Sequence, residues 1–170
     1  LKDIQAEAYA TALEKVSTEC GPRIVLFGKT ETGRDVGPRI AFRLNTVAAQ
    51  DCQELRIDSE KKQLVVDRPV YGGNCVATVT CSGTPMVAIV RGKTAEPLTQ
   101  DDSRQGEVIV VSADLDTATI QTTVEEKVEE ATEGIRLEDA PIIVSGGRGL
   151  GGPEPFSAEL KDLADALGAP

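Results

Sequence analysis

A chain of 170 residues with 18 basic and 28 acidic side chains, and so a formal charge of −10, has room for one well-buried domain, or for one domain and part of another. The acidic excess argues against a nucleic-acid backbone or an anionic membrane surface as partner, and no run approaches the roughly 20 apolar residues that span a bilayer. Histidine is absent, which removes the commonest general base and the commonest metal ligand together.

From the amino terminus, Ile4, Ala8, Ala12 or Leu13, and Val16 recur at helical spacing, and Cys20-Gly21-Pro22 supplies a glycine stop followed by a proline. A helix is predicted over 3–19. Arg23-Ile24-Val25-Leu26-Phe27-Gly28 is a nearly continuous apolar run closed by glycine, the pattern of a central strand buried on both faces. Residues 29–35 read as a loop, and 36–44 as a second helix with Val36, Ile40 and Leu44 on one side. Helix, strand, loop, helix is α/β order.

After Gln53 the pattern changes to strands joined by tight turns. Leu55–Ile57 and Leu64–Val66 flank the polar turn 58–62, and Asn74–Cys81 and Met86–Arg91 flank Ser82-Gly83-Thr84-Pro85. Two hairpins are expected. Residues 92–106 read as an exposed connection, and 107–112 and 117–124 as further strands. An acidic linker over 125–139 places a domain boundary near Leu137.

Cys20, Cys52, Cys75 and Cys81 are widely spaced, with no Cys-x-x-Cys pair and no histidine to complete a zinc or iron–sulfur pattern. Metal is not expected. Reduced, mostly buried thiols are, with Cys75 and Cys81 on one face of a strand. Gly28-Lys29-Thr30 invites a phosphate-loop reading, but the position five residues before Gly28 holds Arg23 rather than glycine, so the segment reads as a cap on the next helix. Tyr71-Gly72-Gly73-Asn74 reads as a turn whose strain glycine relieves. Gly33-Arg34-Asp35, ahead of Pro38-Arg39, could orient a loop or a partner surface.

The richest segment is Ile142-Ile143-Val144-Ser145-Gly146-Gly147-Arg148-Gly149-Leu150, followed by Leu163–Ala169. It reads as a buried strand, a glycine-rich turn and a helix, an arrangement that brings backbone N–H groups and a helix N-terminus to a phosphate. Gly147, Gly149 and Gly152 have G-x-G-x-x-G spacing. Pro153 and Pro155 make the loop longer than a tight dinucleotide turn, and the acidic residue expected about 20 positions on has no strand to carry it. Arg148 suits phosphate or flavin oxygens.

Residues 36–44 (Val-Gly-Pro-Arg-Ile-Ala-Phe-Arg-Leu), 68–79 (Arg-Pro-Val-Tyr-Gly-Gly-Asn-Cys-Val-Ala-Thr-Val), 143–150 (Ile-Val-Ser-Gly-Gly-Arg-Gly-Leu) and 163–169 (Leu-Ala-Asp-Ala-Leu-Gly-Ala), in this order, resemble the alpha subunit of electron transfer flavoproteins. The likeness covers nearly the whole chain and is weakest over 92–136. It implies an α/β fold in which a parallel sheet flanked by helices carries added antiparallel hairpins, followed by the first strand-loop-helix of a second nucleotide-binding-like domain. By the same likeness, residues 1–137 are the first domain, incomplete at its start, and 138–170 are the beginning of the FAD-binding second domain.

The implied cofactor is FAD, held by the full-length subunit rather than by this stretch alone. Arg148 is the flavin contact that maps here, and Gly147 and Gly149 would allow close approach. No catalytic residue and no metal ligand is implied, because the family carries electrons rather than transforming a substrate of its own. The implied partners are the beta subunit, flavin dehydrogenases of the acyl-CoA type and a quinone reductase or other acceptor, in the bacterial cytoplasm rather than the mitochondrial matrix, without nucleic acid or membrane insertion. Two alternatives remain: an NAD- or ATP-binding α/β enzyme that uses the glycine loop at Gly147, or a cofactor-free module that docks on a beta subunit.

Overall fold

The computed structural model describes residues 5–116, 118, 120–126, 128 and 137–169. The chain divides into two compact units, Leu1–Val124 and Glu125–Pro170.

In the first unit, helix α1 (Ala6–Cys20) ends on Gly21 in the left-handed region, whose N–H bonds to the Ser17 carbonyl at 3.0 Å. Strand β1 (Ile24–Gly28) follows, then helix α2 (Glu31–Arg43). The sequence places the start of this helix at Val36, where the spacing of Val36, Ile40 and Leu44 begins. The structure starts it at Glu31 and carries it past Pro38, because the Thr30 hydroxyl accepts the Gly33 N–H at 3.1 Å and caps the helix earlier. Residues 29–35 are therefore mostly helix rather than loop.

The remaining strands are β2 (Ala48–Cys52), β3 (Glu54–Asp58), β4 (Gln63–Val70), β5 (Cys75–Thr80) and β6 (Met86–Val90). They form two sheets, a parallel one in the order β1-β6-β2 and an antiparallel one in the order β3-β4-β5. The β3–β4 hairpin matches expectation, with Arg56 opposite Val65. The second hairpin does not form. Strand β5 pairs with β4, whereas β6 crosses to the other sheet and lies parallel between β1 and β2. Their burial explains the separation: β5 alternates as a half-solvated strand does, whereas Met86–Ile89 is buried throughout, as the centre of a parallel sheet requires. The central strand is thus β6. Strand β1 is at an edge of its sheet, and Leu26 on it is 56% exposed.

The alternation of β6 joins two packing layers. Met86 and Ala88 face Ala49, Cys52, Leu64, Val66 and Cys81, so the antiparallel sheet covers one side of the parallel sheet. On the other side α1 and α2 close over Ala10, Val36 and Ile40, with Leu13, Phe27 and Leu44 packed around them. Gly37 sets the closeness of α2: a Cβ there would lie 2.9 Å from Ile89 Cγ1 and 3.3 Å from Phe27 Cδ2. Gly33 is tighter still, since its Cβ would lie 2.0 Å from the Gly28 carbonyl oxygen.

The stretch 107–112 is not a strand, and Val108, Ile109 and Val110 are well exposed. The described residues of 117–124 form no strand either, and Thr117 and Thr119 lie outside the described set. Side chains tie this region to α1 instead. Gln5 Nε2 donates to the Thr122 carbonyl at 3.1 Å, Thr122 Oγ1 donates to Glu7 at 3.0 Å, and Lys15 pairs with Asp114. Most of the acidic linker assigned to 125–139 lies outside the described residues.

All four cysteines are free thiols, but only Cys52 and Cys81 are buried; Cys20 and Cys75 are exposed. The expected shared face fails because β5 ends at Thr80, which leaves Cys81 to turn into the core below the strand.

In the second unit, a single-turn 3-10 helix over Arg148–Leu150 precedes α3 (Glu154–Ser157) and α4 (Glu159–Leu167). Helix α4 ends on left-handed Gly168, and the Ala169 N–H closes onto the Ala164 carbonyl at 2.9 Å. Residues 142–144 were expected to be a buried strand. They pair with no strand among the described residues, and Ile142 and Ile143 are 39% and 54% exposed. A short apolar run carries no information about whether a neighbouring strand is present.

Candidate functional site

The glycine loop occupies the second unit. Gly147 is extended, with φ −133° and ψ −169°, and leads into the turn at Arg148; Gly151 follows at φ +81°. The glycines do different jobs. A Cβ at Gly146 would collide with Leu150 and Leu160, at 2.3 and 2.6 Å, so this glycine lets the loop pack on α4. A Cβ at Gly147 or Gly149 would meet nothing within 4 Å, and neither residue has positive φ. Neither internal packing nor backbone conformation requires glycine at these two positions.

Gly147, Arg148, Gly151, Gly152, Pro153 and Phe156 line an open groove of about 560 Å³, in which Arg148 is the one cation among the described residues. Gly149 is in the loop but not in the lining. The helix expected directly after the turn is broken at Ala158, and the longer helix starts only at Glu159. The loop therefore offers a guanidinium, open space over glycine and the Phe156 ring, not the N-terminus of a long helix.

Sequence reasoning missed a charged cluster in the first unit. Lys29, Asp51 and Arg91 sit at the carboxyl ends of the parallel strands, where open α/β sheets bind ligands. Asp51 lies in an irregularity of the β2–β6 register with φ +61°, an unusual conformation for a residue other than glycine. Arg91 donates to it through Nε at 2.9 Å and Nη2 at 2.7 Å, and Lys29 Nζ donates at 2.5 Å. The Arg91 and Lys29 hydrogen bonds hold the Asp51 carboxyl down to about 2, from an ordinary 3.8. The signal was present in the chain, because Lys29 and Arg91 each follow directly on an apolar run closing a strand.

Beside the cluster is a cavity of about 640 Å³, whose lining includes Asp51, Gln53, Arg68, Tyr71, Gly72 and Arg91. The turn at Tyr71-Gly72-Gly73 takes the form its glycines suggest, with φ values of +51°, +68° and +92°. Asn74 Nδ2 donates back to the Tyr71 carbonyl at 3.0 Å. The segment Gly28-Lys29-Thr30 acts as the expected helix cap. Arg39 is paired along α2 with Asp35 at 3.0 Å. Among the described residues no group of His, Cys, Asp or Glu could hold a metal ion, and no helix is long and apolar enough to cross a membrane.

The fold and these sites define an α/β protein with polar residues converging at the carboxyl ends of its parallel strands. The family described as "Electron transfer flavoprotein domain" matches residues 1–116, and the chain belongs to the electron transfer flavoprotein family. It is similar, at 42% identity over 169 residues, to the electron transfer flavoprotein subunit alpha of Thermoanaerobacterium thermosaccharolyticum, covering 99% of this chain and 51% of that protein. The subunit alpha of Megasphaera elsdenii is 39% identical over 170 residues, covering 99% and 50%. The acryloyl-CoA reductase electron transfer subunit beta of Anaerotignum propionicum is 33% identical over 195 residues, covering 99% and 53%. The chain spans about half the length of these curated relatives.

Proposed function

We propose that this chain forms part of the alpha subunit of an electron carrier. With its beta subunit it would take electrons from flavin dehydrogenases and pass them to a quinone reductase or another acceptor through FAD, in the bacterial cytoplasm. On this reading residues 1–137 form the first domain and 138–170 open the flavin-binding one. The observation that carries it is the glycine loop within a chain of this family: one cation, Arg148, on an open groove beside two glycines for which the loop itself has no need.

The residues present fit such a group. The absence of Cβ atoms at Gly147 and Gly149 leaves room for a planar ligand to approach the backbone, and the Arg148 guanidinium can donate to phosphate or flavin oxygens. Phe156 gives the groove an apolar wall. FAD, when bound, supplies the redox chemistry, while the protein holds it, shields it and docks partners.

The test uses the longer subunit, assembled with its beta subunit. Arg148→Ala should raise the FAD dissociation constant by about one to two decades, the loss of one charge-assisted hydrogen bond of about 1.5–3 kcal/mol. Unchanged flavin content and dissociation rate would remove Arg148 from the site.

A further inference from the structure

The cavity beside Asp51 belongs wholly to the first unit and has no part in the flavin reading. Arg68 and Arg91 line it together with Asp51, whose carboxylate also takes Lys29, in a protein whose formal charge is −10. Asp51 engages Nε and Nη2 of Arg91. Arg68 lines the same cavity from β4, and its Nε is buried with no hydrogen-bond partner among the described residues. A buried guanidinium N–H without an acceptor is costly, and the same side chain lines the cavity, where the rest of its guanidinium is what a ligand would meet. Asp51 and Tyr71, both in the lining, hold left-handed φ values of +61° and +51°. Strain of this kind concentrates where side chains are held for a ligand.

We propose that this cavity binds a phosphate-type oxyanion, presented as a small phosphate monoester, with Arg68 and Arg91 as its donors. Guanidinium N–H groups match phosphate oxygens, and Arg91 keeps Nη1 for a ligand while Nε and Nη2 hold Asp51. The two guanidinium groups in the lining outweigh its one carboxylate, a local positive excess suited to an anion. The volume of about 640 Å³ exceeds what inorganic phosphate fills and is within the usual range for small-molecule sites. Val70, Val76 and Tyr71 supply an apolar and aromatic wall for the organic part of the ester.

The experiment is a titration of the 170-residue chain, followed by amide and arginine Nε–Hε NMR, with inorganic phosphate and then with phenyl phosphate, sodium chloride holding the ionic strength constant. Saturable shifts should be confined to residues 51–53, 68–73 and 91 and to the Arg68 Nε–Hε signal, and phenyl phosphate should bind the more tightly. Arg68→Gln should raise both dissociation constants about tenfold or more without altering the thermal midpoint measured in chloride alone. Arg68→Lys should recover part of the affinity. Shifts that do not saturate, that spread over the surface, or that persist unchanged in Arg68→Gln would overturn the proposal. Should Arg68→Gln fail to fold, the localisation in the unsubstituted chain and the loss of the phenyl phosphate preference in Tyr71→Ala decide the matter.

Discussion

Arg91 grips Asp51 at two points, Nε to Oδ1 at 2.9 Å and Nη2 to Oδ2 at 2.7 Å, joining the end of the central strand β6 to the irregular end of β2. Lys29, just after β1, bonds to the same carboxylate, so one side chain links the carboxyl ends of all three parallel strands. With its carboxyl at about 2 in the folded protein against an ordinary 3.8, Asp51 stabilises the fold fully above 3.8, and that contribution is lost as pH falls through about 2. The side chain is 25% exposed, so solvent screening reduces the effect. Asp51→Asn should cost about 1–2 kcal/mol near neutral pH. Urea unfolding of both proteins down an acid series should show the gap closing between 3.8 and about 2; a gap independent of pH would contradict the assignment.

The glycines of the first unit and those of the loop should separate cleanly. Gly33→Ala would place a methyl 2.0 Å from a backbone oxygen, which no side-chain rotation relieves. It should lower stability by about 1–3 kcal/mol. Gly149→Ala meets nothing within 4 Å and should change stability by about 0.5 kcal/mol or less. Thermal melts of the two variants compare them directly, and equal losses would mean that α2 does not seat on β1 as described.

Thr30→Ala removes the hydroxyl that accepts the Gly33 N–H. Denaturant unfolding should register a loss of about 1 kcal/mol. If the helix began at Val36 instead, this substitution would fall in a loop and be silent.

Thiol labelling under native conditions should modify Cys20 and Cys75 quickly, and Cys52 and Cys81 only on unfolding. Burial pushes the Cys52 thiol up, which slows its reaction further. Four equally fast thiols would show that the packing of the two sheets is wrong.

Much of the first unit was legible because its patterns are local. Gly21 ends α1, the spacing of Val36, Ile40 and Leu44 marks the buried face of α2, and the polar turn between Leu55 and Leu64 makes a hairpin. What could not be read was long-range pairing. Ser82–Pro85 looks like a hairpin turn, yet it carries the chain from one sheet to the other, and the warning lay in the mismatch between alternating Cys75–Thr80 and continuous Met86–Ile89. The apolar runs at 107–112 and 142–144 have strand composition, but pairing depends on a neighbour that periodicity cannot supply. The Asp51 cluster was hidden for a related reason: Lys29, Asp51 and Arg91 are far apart in the chain and meet only because β6 inserts between β1 and β2, while Arg68 reaches the adjoining cavity from the other sheet.

The central claim, that the chain serves a flavin electron carrier, is tested most directly by the absorbance of the longer subunit assembled with its beta subunit. Dialysed against FAD, the complex should retain the oxidised flavin band. That band should bleach when a reduced acyl-CoA-type dehydrogenase is added and return with a quinone-linked acceptor, and Arg148→Ala should retain less flavin. A complex that holds no flavin after dialysis, or that binds NAD or ATP at the glycine loop in its place, would contradict the account.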